Sequence, residues 1–143
     1  MKTKKYIPET LDDAINHLYE NLTDRDIHFI KYNESYSIHH SGGMSLRNNW
    51  GLWQKNTPFK KDIKSRFNLF GHADDCSGLI FAGLWAKVKN KDVNDALNKE
   101  AKRYHKHWPK YGIYPATGKE IPGFVMPTSM TIKVNKDGTI DEE

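Results

Sequence analysis

The sequence predicts a mainly α protein, a single compact helical domain followed by an irregular C-terminal arm with room for a short β-hairpin. Three observations predict it. A chain of 143 residues suits one hydrophobic core. Apolar residues recur at helical spacing in successive segments as far as Tyr104. Beyond Tyr111, prolines at 115, 122 and 127 and glycines at 112, 118 and 123 forbid another long helix. The expected division is residues 1–110 for the helical domain and 111–143 for the arm.

The first helix is expected over residues 10–22. Thr10 can cap it, Asp12 and Asp13 suit its positive end, and Leu11, Ala14, Ile15, Leu18, Tyr19 and Leu22 form its apolar stripe. Thr23-Asp24 is another capping pair, and Ile27, Phe29 and Ile30 supply a short helix or an extended segment that ends before Asn33. Residues 33–43, rich in Asn, Ser, Gly and His, read as a loop.

Pro58 opens the next helix, with Phe59, Ile63 and Phe67 on one side, Lys60, Lys61, Lys64 and Arg66 elsewhere, and Gly71 as the breaker. Asp74 or Asp75 is the expected cap of a helix whose Leu79, Ile80, Phe81, Leu84, Trp85 and Val88 make the densest apolar surface in the chain. This is the expected core helix. Another runs from Lys91 through Tyr104, opened by Asp92 and stopped by Pro109. In the arm, Phe124-Val125-Met126 and the alternating Met130, Ile132 and Val134 suit short strands, and Asp137-Gly138 suits a turn.

Composition bounds the function classes. Aromatic residues make up 12% of the chain, too many for intrinsic disorder. The net charge of +4 permits contact with a polyanion without requiring it, because 22 basic residues are offset by 18 acidic ones. A lone cysteine, Cys76, excludes an internal disulfide and a multi-cysteine metal cluster. The basic start M-K-T-K-K is followed by no apolar run, and no stretch reaches membrane-spanning length. The expectation is a soluble protein without membrane contact, in the cytoplasm of the producing or infected cell.

Two segments concentrate chemistry: S-G-G-M-S-L-R-N-N-W-G-L-W from Ser41 to Trp53, and H-A-D-D-C-S from His72 to Ser77. Arg47 offers a planar fork of donors suited to carboxylate or phosphate, and Asn48 and Asn49 add amides that donate and accept. The structural alternative pairs Arg47 with Asp74 or Asp75. Trp50 and Trp53 would share one face of a helix, where core packing is preferred over a stacking platform. Ser41-Gly42-Gly43 could let the backbone approach an anion, but neither a P-loop nor a dinucleotide fingerprint is present, and no cofactor is expected.

His39, His40 and His72 with Asp74 and Asp75 could form an acid/base pair if the fold joins the segments. Zinc motifs are absent, so no metal is expected, a hard cation on the carboxylates being the lesser alternative. Cys76 and Ser77 are read as a buried thiol and a first-turn hydroxyl rather than nucleophiles. K-R-Y-H-K-H-W-P-K at residues 102–110 would suit nucleic-acid contact, but cations closing a helix are the preferred explanation and nucleic acid is the lesser alternative.

The middle of the chain resembles an uncharacterised family of small bacterial and phage-encoded domains. The resemblance covers roughly residues 8–86. It is carried by His40, the R-N-x-W-x-L-W core within Gly43 to Trp53, and G-H-x-D-D-x-S from Gly71 to Ser77. It implies that His40, Arg47, Asn48, His72, Asp74, Asp75 and Ser77 belong to one site, and it implies no reaction.

The expected function is an intracellular binding module with a polar pocket for a small phosphate- or carboxylate-bearing ligand, a nucleotide among them. Ligand contact is assigned to His40, Arg47, Asn48, Asp75 and Ser77. One alternative is an acid/base enzyme using His72 and Asp74 in the same pocket. The other is a phage-type inhibitor or interaction protein acting on a host factor.

Overall fold

The computed structural model describes residues 7–32 and 47–125. Within them the chain is mainly α: α1 (Leu11–Glu20), α2 (Asp24–Tyr32), α3 (Pro58–Phe67), α4 (Ala73–Val88) and α5 (Val93–His107), followed by a 3-10 turn at Trp108–Tyr111. The uncertain second segment is a helix, with the Thr23 hydroxyl accepting from Asp26 N–H and the Asp26 carboxylate accepting from Thr23 N–H. The reciprocal pair satisfies donors that a helix start leaves open. His40 and the Ser41–Gly43 stretch lie outside the described residues, as does the proposed alternation at Met130, Ile132 and Val134.

α4 is buried on nearly every side from Ala73 to Ala86, as expected of a helix apolar all round. It packs against α1, α2 and α5. Ile15, Phe59, Ile63, Leu79, Ile80 and Leu97 join four helices in one core, and Ile30, Phe81, Leu84 and Trp85 extend it beneath α2. α3 is tied to the start of α1 by polar contacts: Leu11 N–H donates to Asp62 at 2.9 Å, and Arg66 Nη1 donates to Asp12 at 3.0 Å.

The helix ends follow local chemistry with one correction. Thr10, Thr57 and Asp92 cap α1, α3 and α5 by accepting from the N–H three residues on. At α4 the cap is His72 rather than Asp74 or Asp75; its Nδ1 accepts from Asp74 N–H at 3.1 Å, and both aspartates sit in the first turn. α4 closes on Asn90 in the left-handed region at φ 58, with Lys91 N–H bonded to Ala86 C=O and Asn90 N–H to Lys87 C=O. α5 runs past Tyr104 to His107, and Pro109 lies within the 3-10 turn that follows. The described part of the arm holds a single isolated bridge, between Ile113 and Glu120.

Gly83 brings the α4 backbone against the side chains of Ile15 in α1 and Leu97 in α5. A Cβ there would lie 2.3 Å from Ile15 Cδ1, closer than packed atoms tolerate, and 3.2 Å from Leu97 Cδ2, which is tight. Gly83→Ala is therefore expected to destabilise the fold by about 1–3 kcal/mol despite alanine's better helix propensity. Urea unfolding measures it. A gain in stability would show that α1 is free to move away.

Candidate functional site

The site is built at the N-terminus of α4, where residues 68–72 connect α3 to α4. Asn68 ends α3 in the left-handed region at φ 55, and Gly71 follows at φ 81. The stem of Lys60 lies over Gly71, 3.5 Å from where a Cβ would stand. His72 is thus held between α3 and the first turn of α4.

The His72 ring lies among aromatic neighbours. Its centroid is 5.1 Å from that of Trp108, 5.9 Å from Trp53 and 6.1 Å from Phe70. Because Nδ1 accepts from Asp74 N–H, the neutral ring carries its proton on Nε2. Burial pushes its pKa below the ordinary value, outweighing the pull of Asp74, while Lys60 and Arg47 push it lower still. No hydrogen-bond partner for Nε2 occurs among the described residues.

Arg47 and Asp74 do come together, with Arg47 Nε 3.3 Å from Asp74 Oδ1. The angle is unsuited to a hydrogen bond, so Nε has a charge partner but no hydrogen-bond acceptor among the described residues. Arg47 Nη1 donates to Ser77 Oγ at 3.2 Å, and Ser77 Oγ donates to Asp74 C=O at 2.9 Å. The guanidinium, 11% exposed, therefore braces residues 47–53 against α4. The Asp74 carboxylate stands 3.9 Å from His72 Nδ1 and does not orient the ring by a hydrogen bond.

Trp50 and Trp53 do not share a face. Leu52 N–H bonds to Arg47 C=O across Gly51, which adopts φ 66, so the helical turn at residues 47–49 ends there. Trp50 is buried against the core, whereas Trp53 is 57% exposed. Trp53 Nε1 donates to Asn48 Oδ1 at 3.2 Å, which fixes the indole. Asn48 thus acts on the site through Trp53.

A groove of about 810 Å³ opens beside His72. Lys60, Lys61 and Lys64 of α3 form one wall, with Lys55 beyond its start; residues 116–118 form the other, and Phe70 and Gly71 line it beside His72. No carboxylate lines it among the described residues. The far wall is held by Phe70 N–H bonding to Pro115 C=O at 2.9 Å and by Lys64 Nζ donating to Ala116 C=O. Gly118, at φ 73, permits close approach to Phe70, whose ring would stand 2.7 Å from a Cβ.

Of the site residues expected from sequence that are among the described residues, only His72 lines this groove. The lysines were legible as a polar face, and Lys60 and Lys64 at i,i+4 spacing already share a side of α3. The missing information was the fold of 68–72, which turns that side toward His72. Trp108 was read with the basic segment around it, yet its ring meets both His72 and Phe70.

Asp75 does not line the groove and is 4% exposed. Its Oδ2 accepts from Trp108 Nε1 at 2.7 Å. Burial raises its pKa to about 6, the indole N–H opposing, with Asp74 and Glu100 adding to the rise. Burial likewise raises Glu100 and Tyr104, although Glu100 has an ion pair with Arg103 at 2.8 Å. The buried Cys76 thiol is pushed up to about 12 and stays protonated at neutral pH, away from nucleophilic chemistry.

The raised Asp75 carboxyl has a definite sign in stability. The folded state holds this proton more tightly than the unfolded state, so the contribution is most favourable below the reference value of 3.8 and is lost as pH rises toward about 6. Asp75→Asn keeps an acceptor for Trp108 and removes the charge. It should be more stable than the parent at pH 8, by at most about 3 kcal/mol, and nearly equal to it at pH 4. Denaturant titrations at both pH values measure this; a less stable variant at pH 8 would show that the ionised carboxylate is a net favourable partner.

No helix among the described residues is long and apolar enough to cross a membrane. Comparison with curated proteins gives no match, and comparison with solved structures gives none either. Residues 7–88, more than half of the chain, match a family described as a domain of unknown function, DUF6794. The matched span carries α1 to α4, the R-N-N-W-G-L-W segment, the lysine wall and His72; it ends before Trp108 and residues 116–118. The chain, from Ile7 through the core helix and its capping histidine, belongs to the DUF6794 family.

Proposed function

We propose that the protein is a binding module for a small anion, phosphate- or carboxylate-bearing, held in the groove between α3 and residues 116–118. The observation that carries the reading is the convergence of Lys55, Lys60, Lys61 and Lys64 on a groove with no lining carboxylate among the described residues. Lys55, Lys60 and Lys61 have no ion-pair partner among those residues. Repulsion among like charges and partial burial make this arrangement costly without an anion. Burial chiefly lowers the Lys60 pKa, and Lys55 lowers it further.

The reading moves ligand contact from Arg47 to the lysines. Arg47 and Asp74 position the segment that carries Trp53, and His72 Nε2–H is the neutral donor on the groove lining. The acid/base alternative retains His72, but its expected partner Asp74 holds the ring through a backbone N–H.

Tripolyphosphate is the direct probe. At millimolar concentration and low salt it should raise the melting temperature by several degrees, through binding to the folded state alone. The Lys55→Gln/Lys60→Gln/Lys61→Gln variant should have an unliganded melting temperature at or above the parent's, because the like charges are gone, and lose most of this rise. An equal rise in parent and variant would place the anion elsewhere.

A further inference from the structure

Inorganic anions leave much of the groove unexplained. Its volume of about 810 Å³ falls within the roughly 300–1,000 Å³ of small-molecule sites and far exceeds the needs of one phosphate. Its lining also has two characters. Lysines dominate the α3 wall, while Trp53 and Phe70 supply ring surface. A ligand that uses both must join an anionic group to a flat apolar one.

Trp53 has the features of a stacking platform rather than of a packed side chain. More than half of it is exposed, in contrast to buried Trp50 three residues earlier. Its N–H is committed to Asn48 Oδ1 at 3.2 Å, and its ring meets His72 edge-on, with an interplanar angle of 78°. The indole is thus pre-oriented, so stacking a planar ring on it immobilises little further. An exposed tryptophan with its polar atom already satisfied has mainly its π surface left to offer.

We infer that the groove takes a free nucleotide, its phosphates among Lys55, Lys60 and Lys61 and its base against Trp53. This rests on the anion-binding reading of the same groove and adds the ring. The walls favour a free nucleotide over a strand. Residues 116–118 are fastened through Pro115 C=O to Phe70 and through Ala116 C=O to Lys64, and bound the groove on the side opposite α3, giving a recess of small-molecule size.

Calorimetric titration of the full chain with adenosine triphosphate, tripolyphosphate and a single-stranded decathymidylate, all without metal ions, tests the inference. Adenosine triphosphate should bind at least about tenfold tighter than tripolyphosphate, as expected for one base stacked on an aromatic side chain. Trp53→Leu should abolish that advantage while leaving tripolyphosphate affinity unchanged, and Trp53→Phe should restore most of it. Equal affinity for the two ligands, or an advantage that survives Trp53→Leu, would overturn the ring assignment even with tripolyphosphate bound. Absence of tripolyphosphate binding would instead remove the underlying anion reading. Tighter binding of the decathymidylate than of adenosine triphosphate would assign the groove to a strand and overturn the free-nucleotide inference.

Discussion

One hydrogen bond, from Asp74 N–H to His72 Nδ1, organises the end of the molecule where its polar chemistry collects. A helix start must satisfy its open N–H groups, and here an imidazole does so where aspartate, serine or threonine is commoner. The consequence reaches beyond capping. Using Nδ1 as acceptor fixes the neutral tautomer and sets the ring among Trp53, Phe70 and Trp108. With the cap assigned to His72, Asp74 is available to meet Arg47 and Asp75 to meet Trp108.

That division sorts charge by direction. On one side of the α4 N-terminus, Asp74 and Ser77 hold the guanidinium of Arg47. Toward α5, burial raises the proton affinity of Asp75, Glu100 and Tyr104; Glu100 adds to the rise at Asp75 and both carboxyls add to it at Tyr104, whereas the Tyr104 hydroxyl opposes the rise at Glu100. Toward α3, the groove carries lysines without a lining carboxylate among the described residues. Trp108 links two of these regions, its N–H on Asp75 and its ring on His72, so one side chain joins the buried acid to the histidine that lines the groove.

The helices were legible because their information is local. Thr10, Pro58 and Asp92 mark helix starts by chemistry that acts over three residues, and the apolar run from Leu79 to Val88 announces a buried helix without reference to its partners. The association of Arg47 with Asp74 was also foreseen, as an ion pair alternative to ligand contact. The tryptophan pair was misread because three-residue spacing places side chains together only while the helix continues, and Gly51 at φ 66 ends it between them. The lysine groove was hidden for a different reason. Its walls come from α3 and from residues 116–118, far apart in sequence, and no periodicity records that Phe70 N–H would bind Pro115 C=O.

The cations of this groove are unequal in what an anion could gain from them. Lys55, Lys61 and Lys64 are exposed, and at physiological ionic strength solvent charges are screened over about 8 Å. Lys60 is half-buried with its stem over Gly71, where screening is weaker and desolvation already disfavours its charge. At His72, beside it, burial likewise disfavours the charged form. An anion seated against Lys60 would reverse the balance at both groups, favouring a full charge on the ammonium and raising the proton affinity of the imidazole. In the proposed binding, the half-buried lysine and the capping histidine would therefore respond together to an anion in the groove, whereas the exposed lysines would chiefly set how strongly it is drawn in.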